Sequence, residues 1–407
     1  VRDTHVSTGT GLCDCGRMVL HSLSRVAPGL LALRPKLTAD SLKPGRLLRV
    51  GSAAGHDVHA AVLCWCGGVA FAAPIAGWPH APAVICGAFP AEAAESAVLL
   101  DDSLGASPDA VDAAAEEGGV SVIDCFGAPL DSPPTSLRDG SRRRLPLMAV
   151  CPGQADLQPI CASLHTGTAA IDVLTPVGRG QSMLLMGERG TGKSAVAIDA
   201  VIAQAARPLH CVVALSDPGA EAARSLAEWI CERADRQVSL SACGGPLPPP
   251  LRSRLTLVAP RGGSASEGAL VAAAACAVGE RVRDGGGHAL VVVDGWRGLS
   301  AVWDQAVAAL TSPPTSAPGE GGGGEGGGGA GDGGRGGGAG AAHTAVAAAV
   351  RRRLEAAQRE TSAEQRVFYG ALLQRVAQLA PSLGGGSLSL IAVAEQLPRP
   401  CGESHAA

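Results

Sequence analysis

The sequence predicts an α/β protein in which a small β-rich region precedes a parallel sheet with crossover helices. Short β-type runs separated by turn residues fill about residues 45–133, a spacing typical of a small barrel or sandwich. From about Pro152, strand-like runs alternate with helical stretches, as in a parallel sheet. Ala289–Val293 is apolar throughout, which is typical of a strand buried on both faces. These three observations give the fold class.

The first region is predicted to be a β-barrel-like domain over residues 45–150, preceded by a segment of different composition over residues 1–44. Gly16–Ala39 has no acidic residue and carries three arginines and one lysine among serines and leucines, a composition typical of an organelle transit peptide. A floppy N-terminal tail is the alternative, and both stay open. The β-type runs of the barrel region are Leu47–Val50, Ala61–Cys64, Ala97–Leu100 and Val120–Asp124.

The second region, residues 151–396, is predicted to hold the parallel sheet. Residues 312–342 interrupt it with prolines and then almost pure glycine, which buries too little apolar surface to fold, so we expect a flexible insertion. Residues 397–407 are a polar tail. The predicted strands are Ser182–Met186, His210–Leu215, Leu255–Ala259, Ala289–Val293 and Ser387–Val393, and the predicted helices are Gly192–Ala206, Ala220–Ala234, Glu267–Arg283 and Thr344–Leu379.

The composition excludes some classes of function. With a formal net charge of −4 spread along the chain, the protein as a whole is not a basic nucleic-acid binder. No run approaches the roughly 18 to 20 uncharged apolar residues that a membrane span needs. The 13 cysteines include two C-x-C pairs, Cys13/Cys15 and Cys64/Cys66, without a second pair at zinc-site spacing. This favours cysteines as small buried apolar residues over a metal site.

A phosphate-binding loop is the clearest chemical motif. Residues 187–194 match the pattern G-x-x-x-x-G-K-[S/T], between an apolar strand and an alanine-rich helix. Glycines let successive backbone N–H groups point at one anion, and the helix N-terminus adds partial positive charge. Lys193 is predicted to neutralise the β- and γ-phosphates and the Ser194 hydroxyl to ligate Mg²⁺. The predicted nucleotide-binding residues of the loop are Gly187, Glu188, Arg189, Gly190, Thr191, Gly192, Lys193 and Ser194.

Asp294 is the second candidate, because it follows the buried strand that ends at Val293. An acidic residue leaving such a strand is the usual Walker B partner of a phosphate loop, and it holds Mg²⁺ directly or through water. Many strands end in an aspartate that only forms a turn. Since a phosphate loop precedes it by about a hundred residues, we predict that Asp294 joins Ser194 as a metal ligand.

The residues around the loop resemble the alpha subunit of the F-type ATP synthase. The run from His165 through Gly178-Arg179-Gly180-Gln181 to Ala195-Val196-Ala197-Ile198-Asp199 is similar to that family's QTG-x-x-A-[VI]-D, P-[IV]-GRGQ, GDRQTGK[ST] and AIDT. Residues 122–131 resemble VVDALGNPID, and residues 367–388 resemble VFY, LLERA and GGGSL. The motifs occur in the family's order over residues 45–396.

The resemblance implies a RecA-like nucleotide-binding domain after the barrel, with ATP or ADP and Mg²⁺ bound largely without catalysis. It implies a hetero-hexameric ring with catalytic beta-type subunits, a central stalk subunit, and membrane contact only through the proton-translocating sector. The expected location is peripheral, at a mitochondrial or thylakoid membrane or at a bacterial inner membrane. The resemblance also leads us to expect a chain that is shortened relative to the family, without its arginine-finger segment and its C-terminal helical domain.

Two other interpretations remain open. Catalytic beta subunits carry a water-polarising glutamate after the second strand and alpha subunits carry glutamine, whereas this chain has Asp217 followed by Pro218. An autonomous ATPase would use Asp217 or Asp294 to position water, although a loop-capping role for Asp217 is favoured. A degenerate alpha-type paralogue with little activity is the third interpretation, motivated by the glycine-rich insertion.

Overall fold

The fold is seen in a computed structural model of the chain. It describes residues 17–27, 30–35, 46–51, 57–66, 69–74, 96–103, 105–106, 119–130, 145–147, 151–216, 219–241, 248–261, 265–311 and 338–395. The predicted tail 397–407 and nearly all of the predicted insertion 312–342 lie outside these residues. None of the described helices is long and apolar enough to cross a membrane.

Six antiparallel strands of the first hundred residues pair in an order that closes on itself, β1-β2-β5-β4-β3-β6. Two of them lie within the segment 1–44, which the sequence assigned to a tail or targeting segment, because the short apolar runs 18–20 and 30–33 form strands there. The strands are β1 (Arg17–Ala27), β2 (Leu30–Pro35), β3 (Arg46–Gly51), β4 (Asp57–Cys66), β5 (Val69–Pro74) and β6 (Ser96–Ser103).

Short strands and a predominantly parallel sheet follow. The strands are β7 (Gly105–Ala106), β8 (Ser121–Ile123), β9 (Leu145–Pro146), β10 (Ser163–Leu164), β11 (Val177–Gly178), β12 (Ser182–Gly187), β13 (Leu209–Leu215), β14 (Leu255–Val258), β15 (His288–Asp294), β16 (Ala377–Gln378) and β17 (Ser387–Glu395). The helices are α1 (Ala169–Leu174), α2 (Lys193–Ile202), α3 (Ala220–Ser241), α4 (Ala265–Asp284), α5 (Trp296–Thr311) and α6 (Gly338–Gln374).

The main sheet has the order β12-β17-β15-β13-β14-β8, with β16 antiparallel beside β17. All neighbours along this order are parallel, so the predicted α/β fold with a parallel sheet is confirmed. β8 was predicted as part of the barrel region, but it pairs with β14, so the nucleotide-binding sheet begins before residue 150. That pairing joins segments about 130 residues apart, which local sequence patterns do not reveal.

Side chains of alternating direction along the strands fill a core on each face of the sheet. In β15, Leu290 and Val292 pack towards α2 and α3, whereas Val291 and Val293 pack towards α4 and α5. The strand β12 lies at the edge of the sheet and has β17 as its hydrogen-bonded neighbour among the described strands. Its Leu184 and Met186 are 56% and 63% exposed.

The helix boundaries differ from the predicted ones where tertiary contacts intervene. The predicted helix 192–206 begins at Lys193, because Gly192 is left-handed with φ +86°, and it ends at Ile202 in a series of turns. The predicted helix 344–379 ends at Gln374, because the chain then turns to pair β16 with β17. Helix α5 was not predicted. Its ring contacts with α6 join Trp303 to Phe368 and Trp296 to Tyr369.

Two arginines, one buried and one largely shielded from water, join segments that are distant in sequence. Arg375 donates to both carboxylate oxygens of Glu280 in α4, at 2.8 and 2.5 Å, and to the carbonyl of Leu147 at 2.8 Å. Arg261, just after β14, donates to Asp124 at 2.5 Å and so holds the turn that follows β8. Both pairs connect residues of opposite charge that are distant in sequence and largely shielded from water.

Candidate functional site

The predicted phosphate loop lies between the edge strand β12 and helix α2. β12 ends at Gly187 and α2 begins at Lys193, so the intervening residues bridge a strand end and a helix N-terminus. Gly190 and Gly192 have φ of +79° and +86°, a region that L side chains rarely adopt. No atom lies within 4 Å of a Cβ built at either glycine. The loop therefore has the glycine-dependent curvature and the open space that an anion requires.

The side chains of Lys193 and Thr191 close over this loop. The Lys193 Nζ donates to the Glu188 carbonyl at 2.5 Å and lies 3.4 Å from Thr191 Oγ1. Thr191 Oγ1 donates to the same carbonyl at 2.9 Å. The ammonium thus contacts oxygen acceptors of the loop itself, which a phosphate oxygen is chemically able to replace. Glu188 and Arg189 are exposed on the loop.

Ser194 and Asp294 meet although 100 residues separate them in the chain. The Ser194 hydroxyl donates to Asp294 Oδ1 at 3.0 Å. Asp294 ends β15, two strands from β12 in the sheet, and α2 crosses the strand between them. Because the carboxyl ends of these parallel strands share one edge, the helix N-terminus brings Ser194 to the aspartate.

A hydroxyl and a carboxylate are hard oxygen ligands, which suit Mg²⁺. The two predicted metal ligands, Ser194 and Asp294, are adjacent and therefore fit such an ion, which would take its remaining ligands from phosphate oxygens and water. Within the described parts of the chain, no group of three or more His, Cys, Asp or Glu side chains is placed to hold a metal. A magnesium ion shared with a nucleotide does not need such a group.

Ser216 was missed by the sequence analysis. It follows β13, and its hydroxyl lies 3.0 Å from the Asp294 carbonyl and 2.7 Å from the Gly295 carbonyl. Its backbone N–H also donates to the Asp294 carbonyl at 3.3 Å. Gly295 has φ +92°, and a Cβ there would lie 2.7 Å from the Ser216 oxygen. The end of one strand thus fixes the backbone that presents the Asp294 carboxylate.

The sequence did contain a pattern that points to Ser216. This serine directly follows a buried strand, just as Asp294 follows the buried run 289–293. Carboxyl ends of neighbouring parallel strands meet at the same edge of a sheet. The register pairs Leu215 with Asp294 and confirms that these ends are adjacent. Asp217, the candidate catalytic residue, lies outside the described residues.

Most of the described cysteines lie in the core. Cys125, Cys211, Cys231 and Cys276 are buried and free. Burial raises the pKa of Cys211 to about 12 and that of Cys276 to about 11, so both stay protonated. The pair Cys13/Cys15 lies outside the described residues, as do the side chains of Cys64/Cys66.

Residues 167–317 match the model of the ATP synthase alpha/beta family, nucleotide-binding domain. The ATP synthase subunit alpha of Anaplasma marginale (strain Florida) is 28% identical over 287 residues, which cover 67% of this chain and 44% of that protein. The subunit alpha of Ehrlichia ruminantium (strain Gardel) is 33% identical over 202 residues, which cover 47% of this chain and 36% of that protein. The subunit alpha of Aquifex aeolicus (strain VF5) is 32% identical over 207 residues, which cover 50% of this chain and 37% of that protein.

This chain matches less than half the length of each of these three relatives. The match to the family model includes the phosphate loop, Ser216 and Asp294. The resemblance to alpha subunits drawn from the sequence motifs is therefore confirmed: residues 167–317 match the nucleotide-binding domain of the ATP synthase alpha/beta family, and the similar proteins are alpha subunits at low identity over part of the chain.

Proposed function

We propose that this chain binds ATP or ADP as a largely non-catalytic, alpha-type subunit of a rotary proton-translocating ATP synthase. The observation that carries the proposal is the contact between Ser194 and Asp294, 3.0 Å, beside an open glycine-rich loop. It unites the phosphate-binding and metal-binding halves of a nucleotide site. The family match and the names of the relatives support the alpha-type role.

In this proposal the loop from Gly187 to Gly192 receives the phosphates and Lys193 neutralises their charge. Ser194 and Asp294 hold Mg²⁺, which supplies charge compensation for the β- and γ-phosphates. Ser216 keeps the Asp294 backbone in place. We regard Asp217 as a loop residue rather than a base, because its side chain is one methylene shorter than glutamate and a proline follows it. An Asp217→Asn variant that loses phosphate release would favour an autonomous ATPase instead.

The proposed partners are catalytic beta-type subunits in a hetero-hexameric ring, together with a central stalk subunit. The closed set of strands β1 to β6 is proposed to be the barrel that precedes the nucleotide-binding domain in such subunits. We further propose a peripheral location at an organelle inner or thylakoid membrane or at a bacterial inner membrane, reached through the proton-translocating sector.

Equilibrium binding of a fluorescent ATP analogue, with phosphate release followed in the same sample, tests the function. We expect saturable binding that weakens when EDTA removes Mg²⁺, and no turnover. Lys193→Ala should weaken binding about 10- to 100-fold, since hydrogen bonds to charged groups contribute roughly 1.5–3 kcal/mol. Its fold should persist, because the Lys193 side chain packs in no core.

Arg359→Ala, on an exposed part of α6, is the matched control and should bind as the wild type does. Nucleotide affinity that is unchanged in Lys193→Ala would overturn the assignment of the site. Steady phosphate release by the wild type would overturn the non-catalytic role.

A further inference from the structure

A cavity lies beside the later turns of α2, the helix that follows the phosphate loop. It has a volume of about 450 Å³, within the range of small-molecule sites. Its walls are the last turns of α2, the middle of α3 and the segment before α1. The lining residues are Gly167, Asp199, Ile202, Ala203, Arg233, Arg236 and Gln237.

Charges of both signs border this cavity. Arg233 and Arg236 stand one turn apart on α3, and Asp199 belongs to α2. All three are exposed, and neither guanidinium lies within ion-pair distance of the Asp199 carboxylate in the described part of the chain. Arg236 has only a contact of 3.5 Å with the exposed Glu232. Such an arrangement leaves the two guanidinium groups and the carboxylate able to pair with a ligand's charged groups.

The wall opposite α3 is held rigidly. The Asp172 carboxylate accepts hydrogen bonds from the N–H and hydroxyl of Thr166, both at 2.8 Å, and from the N–H of Gly167 at 3.2 Å. The fully buried Gln204 donates to the His165 carbonyl at 2.6 Å and to the Ala200 carbonyl at 2.8 Å. The segment 165–167 is therefore fastened to α2, so the cavity is preformed.

Gly167 determines how closely that segment approaches the helix. Its φ is +77°, and a Cβ there would lie 3.1 Å from the Cβ of Ala203. On the other side, the Arg233 guanidinium stacks over the ring of Trp229 at 4.9 Å, and Trp229 is 44% exposed. A ligand that binds Arg233 would disturb this stack, so the fluorescence of Trp229 should report binding.

We propose that this cavity binds a small dipolar ligand, with a phosphate or carboxylate held by Arg233 and Arg236 and an ammonium held by Asp199. Guanidinium groups pair well with oxyanions in bidentate geometry, and a carboxylate is the natural partner of an ammonium. The site is independent of the phosphate loop and does not depend on the function proposed above.

Titrations of the full chain with phosphoethanolamine, β-alanine and inorganic phosphate test the proposal, followed by tryptophan fluorescence and calorimetry. Phosphoethanolamine carries phosphate and ammonium, β-alanine carries carboxylate and ammonium, and inorganic phosphate carries the anion alone. We expect a saturable change in tryptophan fluorescence with phosphoethanolamine, with β-alanine or with both. The probe that binds more tightly, called the better probe below, shows whether the site prefers a phosphate or a carboxylate. The fluorescence change should vanish in Trp229→Phe while calorimetric binding remains.

Variants separate this site from the nucleotide site. Arg236→Met should weaken the better probe about tenfold, the loss expected for one charge-assisted hydrogen bond. Asp199→Asn should weaken that probe similarly but leave inorganic phosphate unchanged. The control Arg359→Met, on an exposed part of α6, should bind every probe as the wild type does. The proposal is overturned by unchanged binding in Arg236→Met, by equal effects of Asp199→Asn on all probes, or by no binding up to about 10 mM.

Discussion

At the scale of the residue, Arg375 shows how one buried charge depends on its partner. Its side chain is 2% exposed, that of Glu280 is 8% exposed, and the two form a bidentate pair. Removing the arginine would leave a carboxylate buried without its counter-charge. We expect Arg375→Met to lower the free energy of unfolding by about 3–5 kcal/mol.

Urea unfolding followed by circular dichroism measures this loss. Arg359→Met is the matched control, because Arg359 is 83% exposed and its contact with Glu355 is 3.9 Å. Its effect should stay within about 0.5 kcal/mol. Equal stability of the two variants would contradict a structural role for the buried pair.

His288 gives a pH dependence that is also set by one residue. Partial burial and the nearby charge of Arg179 lower its pKa below the ordinary value of 6.5. The unfolded chain takes up a proton near that value, whereas the folded chain does so at lower pH. The free energy of unfolding should therefore decrease as the pH falls below 6.5.

His288→Asn removes the titrating group and is able to keep a hydrogen bond to Ser387, which lies 2.9 Å from the His288 Nδ1. Urea midpoints measured between pH 7.5 and about 5 should fall less steeply in this variant than in the wild type. Parallel curves for the two proteins would show that His288 does not contribute.

At the scale of the element, the ends of β13 and β15 hold each other in place. Gly295→Ala would combine an unfavourable φ of +92° with a Cβ 2.7 Å from the Ser216 oxygen. We expect a loss of roughly 1–3 kcal/mol in the free energy of unfolding, together with weaker Mg²⁺-dependent nucleotide binding. Urea unfolding and the fluorescent nucleotide assay measure the two effects.

Gly190→Ala is the matched control for backbone strain. Its φ of +79° is similar, but nothing lies within 4 Å of the added Cβ. The difference between the two variants in stability therefore reports the clash with Ser216. If Gly190→Ala lost as much stability as Gly295→Ala, the close approach of Gly295 to Ser216 would not contribute to the free energy of unfolding.

Local patterns predicted the elements near the phosphate loop well, because one strand, one turn and one helix follow each other directly in the chain. Helix α5 escaped prediction because its start at Trp296 closely follows the end of a strand, although its apolar residues recur at helical spacing. The place of β8 also escaped, because its partner β14 is distant in sequence. Ser216 escaped because a serine after a strand is an ordinary turn former.

At the scale of the whole molecule, the sheet formed by the described residues ends in a strand that has one edge without a described neighbour. β12 is uncharged and free of proline, and Met186 on it is 63% exposed. An unpaired edge of this kind is a template for pairing with another chain. We expect the isolated chain to associate in a concentration-dependent manner, and Met186→Lys should reduce this association with little change in stability.

Sedimentation velocity at several protein concentrations measures the association. Val367→Lys adds the same charge at a site on α6 that is 65% exposed, so it controls for charge repulsion alone. Equal suppression by both variants would mean that the edge of β12 is not the contact.

The open edge has a further consequence, because β12 runs directly into the phosphate loop at Gly187. Any strand added to it would lie about 4.8 Å from the backbone of β12, and its end would border the nucleotide. The contact between chains and the bound nucleotide would then lie about one strand spacing apart. A partner that completes the sheet would also form one side of the nucleotide's surroundings, so we expect the isolated chain and the assembled chain to differ in nucleotide affinity.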